Sequence, residues 1–403
     1  MIYLYPLRKD LNITQVEQDN KNLVILSDNF GFSEYQIAIS LEFFWLLTQI
    51  TKPIIIEEFC ELIGLEDSQY FDPIYQEIKK LEEYNFIETP QFLKWKEESI
   101  KEYLESPIRP SILSGISFPS DRNEFITYMN HLFSLVPSEN ILGNANSVIV
   151  PHLDLLTGLD TQKVYCTAYH SIRNTDFDTI VIFGTSHYSA TNRFMLTKKH
   201  FETPNGLLET DINLIDYMIN KDYNYFLIDD LAHKPEHSIE IQAALIKYYF
   251  NDKNFKIIPI LVSGFFDFFD NDLTPDSDLQ VNNFIELLKN SLIELNRKPI
   301  FISSVDFSHF GLKFNDNFDA LDELENAKRY DKILIENIIN KNHNQFFEEI
   351  KKVEDKWKIC GTAPIFVHLK TVNFENAKLL SYNMWYEKET KSAVSCANIS
   401  FYN

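Results

Sequence analysis

Three histidines, one cysteine and several acids sit in short motifs that could meet around a single metal ion. The motifs are Pro151-His152-Leu153-Asp154, Gly184-Thr185-Ser186-His187, Glu236-His237-Ser238-Ile239-Glu240 and Ile359-Cys360-Gly361. Two imidazoles and one thiolate make a three-donor set, which suits iron, copper or zinc and leaves a coordination position open. The soft sulfur favours copper or iron over magnesium or calcium. Each residue also has a plainer reading: a lone His152 or His187 is accounted for by a buried, hydrogen-bonded ring, and a lone Cys360 by a small core thiol.

The neighbours suggest supporting roles. Asp154 is placed to orient His152 or to ligate weakly. Gly184 permits a sharp exit from its strand, and Ser186 can cap the segment after it. Pro235 and Ser238 are helix-start signals, so His237 falls near a helix N-terminus, where the dipole disfavours a charged ring. A neutral His237 can move a proton or stabilise developing negative charge; a simple capping role competes. Glu236 and Glu240 are expected to line the pocket or support the ligands. In Ser303-Ser304-Val305-Asp306-Phe307-Ser308-His309, Asp306 and His309 can fix a ligand's tautomer, touch substrate or serve only the fold. Cys360 precedes a helix expected over 364–370, a position that lowers a thiol pKa. Cys60, Cys166 and Cys396 read as core thiols.

These residues need a frame to converge. Apolar strands are expected over 148–150, 180–183, 256–262 and 300–304, and helices over 162–173, 211–220, 239–250, 281–295 and 319–340. That alternation favours an α/β sandwich with a largely parallel central sheet, and a ligand site at the carboxyl ends of the strands. Segments 378–385 and 392–402 read as a closing antiparallel hairpin. The first 105 residues differ: helices over 40–50, 55–64 and 70–84, then a short strand at Phe86-Ile87-Glu88, suggest a small winged-helix-like unit. A charged helix over 94–104 leads to Ser106-Pro107-Ile108-Arg109-Pro110, whose prolines mark a boundary. The expected domains are therefore 1–105 and 106–403.

Of the 403 residues, 45% are hydrophobic, enough for a sizeable core. A net charge of -22 repels phosphate backbones and argues against nucleic-acid binding. The acidic third helix argues the same for the N-terminal unit, where peptide or protein docking competes with a plain structural role. No apolar run has the length of a membrane span, and nothing near Met1 reads as a signal peptide, so a cytoplasmic location is expected.

The motifs, in order, resemble the MEMO protein family: Arg109-Pro110 with Phe118-Pro119, Pro151-His152, Gly184-Thr185-Ser186-His187, Phe201-Glu202-Thr203-Pro204, Glu236-His237-Ser238-Ile239-Glu240, Asp306-Phe307-Ser308-His309 and Ile359-Cys360-Gly361. The resemblance spans Ser106 to the C-terminus. It implies a sandwich like that of class III extradiol dioxygenases, with His152, His187 and Cys360 as metal ligands and His237 as the acid/base. A cysteine replaces the carboxylate ligand of those enzymes, which argues against ring cleavage and for another redox chemistry. This chain has Leu153-Asp154 where many members have alanine and glycine, and a single histidine before Tyr188 where some have two. Its N-terminal unit resembles winged-helix modules that recognise peptides. Microbial members, as AmmeMemoRadiSam system protein B, are associated with a radical SAM enzyme and an AmmeMemoRadiSam system protein A-like protein. The expected function is metal binding, by iron or copper with zinc as the other choice, and redox or oxygenase-like chemistry. Two readings compete: a non-catalytic metal- or peptide-binding module, and a zinc hydrolase.

Overall fold

The computed structural model describes residues 2–18, 21–33, 35–65, 67–269 and 273–403. The chain forms two compact units, Met1–Ser106 and Pro107–Asn403.

In the first unit, Asn12–Gln18, Lys21–Ser27 and Ile37–Ser40 make an antiparallel sheet of three strands. Helices Leu41–Thr48, Ile56–Leu62, Phe71–Glu83 and Pro90–Glu105 come after it. Ser40 starts the first, its hydroxyl accepting from the Phe43 amide. Val24, Leu26, Leu47, Phe59, Ile78 and Leu81 share one apolar cluster. The first three helices lie within two residues of the expected bounds and the fourth begins four residues before the expected 94–104, but the strands depart from that expectation. Among the described residues Ile87 makes only an isolated bridge to Leu7, and the sheet precedes the helices. Thr89 and Pro90 explain this: the Thr89 hydroxyl accepts from the Phe92 amide and starts the last helix too soon for a strand to extend.

The second unit is built on β1 (Ser147–Val150), β2 (Thr179–Thr185), β3 (Lys256–Val262), β4 (Pro299–Ser304), β5 (Asn376–Glu387) and β6 (Ser392–Tyr402). Strands β3, β2, β4 and β1 lie side by side and parallel. Strand β6 pairs antiparallel with β1 and also with β5, forming the expected hairpin. Among the described residues, Leu227–Ile228, Phe194–Leu196 and His309–Gly311 complete a sheet of nine strands.

Side-chain alternation sorts β2 into two layers. Ile180 and Ile182 join a core with helices α1 (Leu159–Ser171) and α2 (His237–Tyr249), while Val181 and Phe183 join another with Leu279–Glu294 and α3 (Thr362–Thr371). A sheet buried on both faces needs continuous apolar strands, and each fully buried Ile or Val contributes about 1.5–3 kcal/mol. The helix expected over 319–340 is interrupted: Ala320–Asp322 is a 3-10 turn, and the α-helix spans Leu324–Ile339.

Candidate metal centre

Parallel neighbours bring their carboxyl ends to one edge. In register, Ser304 of β4 stands between Val150 of β1 and Gly184 of β2. His152 lies two residues past the end of β1, His187 two past β2 and Asp306 two past β4. Residues far apart in the chain thus share one rim. Cys360 reaches the same rim two residues before α3.

A web of polar contacts fixes the rim. The Ser238 hydroxyl donates to the Thr185 carbonyl at 2.8 Å and the Ser304 hydroxyl donates to the Ser238 carbonyl at 2.5 Å. The Gln242 amide donates to the Pro151 carbonyl and to Ser304 Oγ. The Thr185 hydroxyl donates to the Cys360 carbonyl at 3.0 Å. Helix α2 therefore clamps β1, β2 and β4 together. Gly184 makes this possible: a Cβ there would stand 2.6 Å from Ile239 Cγ1 and 2.7 Å from Ser238 Oγ. Its value is close approach of the helix, in place of the sharp exit read from sequence.

The donor atoms of His152, His187 and Cys360 all lie within 4.8 Å of one another. The sulfur is 3.5 Å from His152 Nε2. Bonds of about 2.0–2.1 Å to nitrogen and about 2.3 Å to sulfur put tetrahedral ligands roughly 3.5 Å apart, so this donor set fits a transition metal. Both rings are oriented from behind. His152 Nδ1 donates to the Ser304 carbonyl at 2.9 Å, and His187 Nδ1 donates to Glu236 Oε1 at 2.9 Å. Each Nε2 is left to face the centre.

The electrostatics divide the rings. Burial, then the charge of His187, pushes His152 well below the ordinary histidine value. Burial opposes charging His187 as well, but Glu236 and Cys360 outweigh it and push that ring up to about 10. Burial likewise opposes ionisation of Glu236, yet His187 and His237 hold its carboxyl well below the usual range. Glu236 also caps α2 by accepting from the Ser238 amide. Burial and His187 push His237 down to about 4, so this ring is neutral, as expected, with causes beyond the helix dipole. It stacks on His187 with centroids 4.8 Å apart.

Cys360 departs from expectation. Burial pushes its thiol up, outweighing the lowering by His187. Its sulfur accepts from the Asp306 amide at 3.2 Å.

The remaining residues separate. Burial pushes Asp306 up to about 7; Oδ1 accepts from the His152 amide, and Oδ2 is 3.5 Å from His152 Nε2. His309 Nδ1 donates to the Phe307 and Lys358 carbonyls, and burial brings its ring down to about 4. Asp154 does not orient His152; it accepts from the Ser117 hydroxyl and the Leu156 amide and starts a 3-10 turn, while the Ser304 carbonyl orients His152. Ser186 donates to the Ser189 carbonyl, closing a turn with no helix to cap. Glu240 points away from the ligands into a buried pair with Arg109, and it also accepts from the amides of Ile112 and Leu113. Sequence reading missed Ser304 and Gln242, whose weight comes from a backbone carbonyl and from contacts across strands.

Two cavities of about 450 Å³ each meet here. One is lined by His152, Asp154, His187, His237, Asp306 and His309. The other is lined by His187, Cys360 and a group of aromatic residues. His187 lines both, so the donor cluster stands between them.

Comparison with known proteins agrees with this architecture. A family model described as Memo-like protein matches residues 109–400. A MEMO1 family protein of Aquifex aeolicus is 30% identical over 335 residues, covering 82% of this chain and 83% of its own. That share exceeds the length of the second unit, so the match extends into the first. MEMO1 family proteins of Nitrosopumilus maritimus and Methanocaldococcus jannaschii are 26% and 25% identical, each over 68% of this chain and 92% and 91% of theirs. With the sheet, its rim and these matches in agreement, the chain belongs to the Memo-like protein family.

Proposed function

We propose that this chain holds one iron or copper ion, with zinc as the other candidate, on His152 Nε2, His187 Nε2 and Cys360 Sγ, and that the centre serves redox or oxygenase-like chemistry. The observation that carries the reading is the use of both Nδ1 atoms. With those committed to Ser304 and Glu236, the two Nε2 atoms and the sulfur are the convergent donors. A second group, His187, Glu236 and His237, also lies within 4.8 Å. It is disfavoured because Glu236 already holds His187 Nδ1.

When bound, such an ion supplies an open coordination position and, for iron or copper, one-electron chemistry. His187 holds a proton that a metal must displace, so affinity rises with pH. His237, neutral and beside His187, can take a proton from a group in the polar cavity. Asp306, balanced near neutrality, can return one within reach of His152. His309 presents Nε2 as an acceptor, because its Nδ1 faces two carbonyls.

The proposed setting is the cytoplasm, whose reducing conditions suit the four free cysteines. Among the described residues no helix is long and apolar enough to cross a membrane. The proposed partners are a radical SAM enzyme and an AmmeMemoRadiSam system protein A-like protein, with the N-terminal unit as a peptide- or protein-docking element; co-purification from the native host tests this. Anaerobic purification and then elemental analysis with an oxygen electrode tests the function. The expected result is about one iron or copper per chain and oxygen uptake with a reduced substrate. Stoichiometric metal without uptake would make the site a carrier, and absence of metal would contradict the proposal.

A further inference from the structure

We propose that the second cavity is a binding site for a small, neutral aromatic molecule, seated against the Cys360 sulfur on the face of the cluster away from His237. That such a guest approaches a metal rests on the reading above; the binding itself does not.

The two cavities differ in chemistry although they share His187. The first sets the imidazoles of His152, His237 and His309 and the carboxylates of Asp154 and Asp306 among apolar residues that include Ile241, Phe314 and Trp385. In the second, Val262, Phe265, Phe266, Phe269 and Ala363 supply the walls. The Phe266 and Phe269 rings stand 5.7 Å apart at 88°, forming two adjoining walls. Phe266 is 59% exposed, apolar surface that a guest would remove from water. Its placement is built in: a Cβ on Gly264 would lie 2.5 Å from the Phe266 ring, so only glycine lets the ring fold back there.

The cations on the polar rim are matched from within the protein, His187 by Glu236 and Lys358 by Asp316, and Glu354 and Asp355 are the acidic lining residues. Lys358 Nζ donates to Asp316 Oδ1 at 2.8 Å, which neutralises the ammonium from within the protein. Asp355 accepts from the Ile359 amide, and burial pushes its carboxyl up to about 7. Glu354, Asp355 and Lys358 all have left-handed backbones, with φ of 50°, 49° and 50°. Such conformations are costly in non-glycine residues and cluster where a ligand site requires them. Here they shape the segment that closes the cavity and leads into Cys360. A volume of about 450 Å³ lies in the range of small-molecule sites and accommodates a fused two-ring aromatic.

The experiment titrates indole into the full-length protein, metal-free and cobalt-loaded, in wild type and in Phe266→Ala. Binding is monitored by calorimetry and by proton NMR contacts between indole and the Ala363 methyl. The expected result is saturable binding to the metal-free protein, with a contact to Ala363. Affinity should fall roughly threefold to tenfold in Phe266→Ala, the effect of losing one ring–ring contact. In the cobalt protein indole should shift the sulfur-to-cobalt absorption band. No saturable binding at millimolar indole, or equal affinity in the variant without the Ala363 contact, would overturn the site. Binding that leaves the cobalt band unmoved would overturn its placement against Cys360. Failure to take up cobalt at all would count against the metal reading, while the metal-free titration would still decide the cavity.

Discussion

The proposed centre depends on what stands behind each candidate ligand. His152 is held by a backbone carbonyl and His187 by a carboxylate. Glu236 also accepts from the His187 amide at 2.7 Å, fixing both ring and backbone. Glu236→Gln keeps the size but removes the charge that favours a strongly donating ring. The expected outcome is a metal affinity about 10–100-fold weaker, measured by competition with a chelator, with the fold intact by circular dichroism. Affinity equal to wild type would sink this role for Glu236. His152, His187 and Cys360 were legible as candidates because each flanks an apolar run or a helix start. The charge state of Cys360 was not. The helix position argued for a low thiol pKa, but burial is a tertiary property and it wins.

Strands β1 to β4 were legible within a residue or two of their ends, except that β2 continues through Gly184 to Thr185. The closing hairpin was legible from two long alternating runs. The first unit's sheet was not, because Asn12–Gln18 is mostly polar and Ile37–Ser40 runs directly into the helix that starts at Leu41. Gly184 shows how an element can depend on one missing atom. Gly184→Ala should destabilise the second unit by about 1–3 kcal/mol, since the added carbon meets Ile239 and Ser238 with little room to move; urea denaturation measures it, and an unchanged midpoint would contradict the close approach.

Behind the 306–309 segment lies Asp331 of helix Leu324–Ile339, which accepts from the Ser308 hydroxyl and from the Tyr382 hydroxyl at 2.7 Å. Burial pushes it up to about 6 from an ordinary value of 3.8. The folded state therefore binds the proton more tightly than the unfolded state. Below about pH 4 both states are protonated and the group contributes nothing; as pH rises towards about 6 the folded state loses stability, by about 3 kcal/mol. Asp331→Asn removes that loss. In metal-free protein, denaturation at pH 4 and pH 7 should show a smaller fall for the variant than for wild type. Parallel falls would show that Asp331 titrates normally.

At the scale of the molecule, each unit carries its own apolar core. Residues 107–403 should fold without the first unit and keep the same metal content, measured by calorimetry and elemental analysis. Loss of cooperative unfolding in the truncated chain would contradict that independence. The family motifs made the second unit's site legible as a set, since seven short segments in order are specific where each one is weak. The second cavity was not legible, because the phenylalanines at 265, 266 and 269 meet Val262 of β3, Ala363 of α3 and Cys360 only in three dimensions.

The central claim is that two imidazoles and one sulfur share an ion. X-ray absorption spectroscopy of the anaerobically purified protein and of Cys360→Ser tests it most directly. The wild type should show one sulfur near ~2.3 Å and nitrogen or oxygen near ~2.0–2.1 Å, with the sulfur shell gone in the variant. A wild-type spectrum without sulfur, or the same spectrum from both proteins, would contradict it.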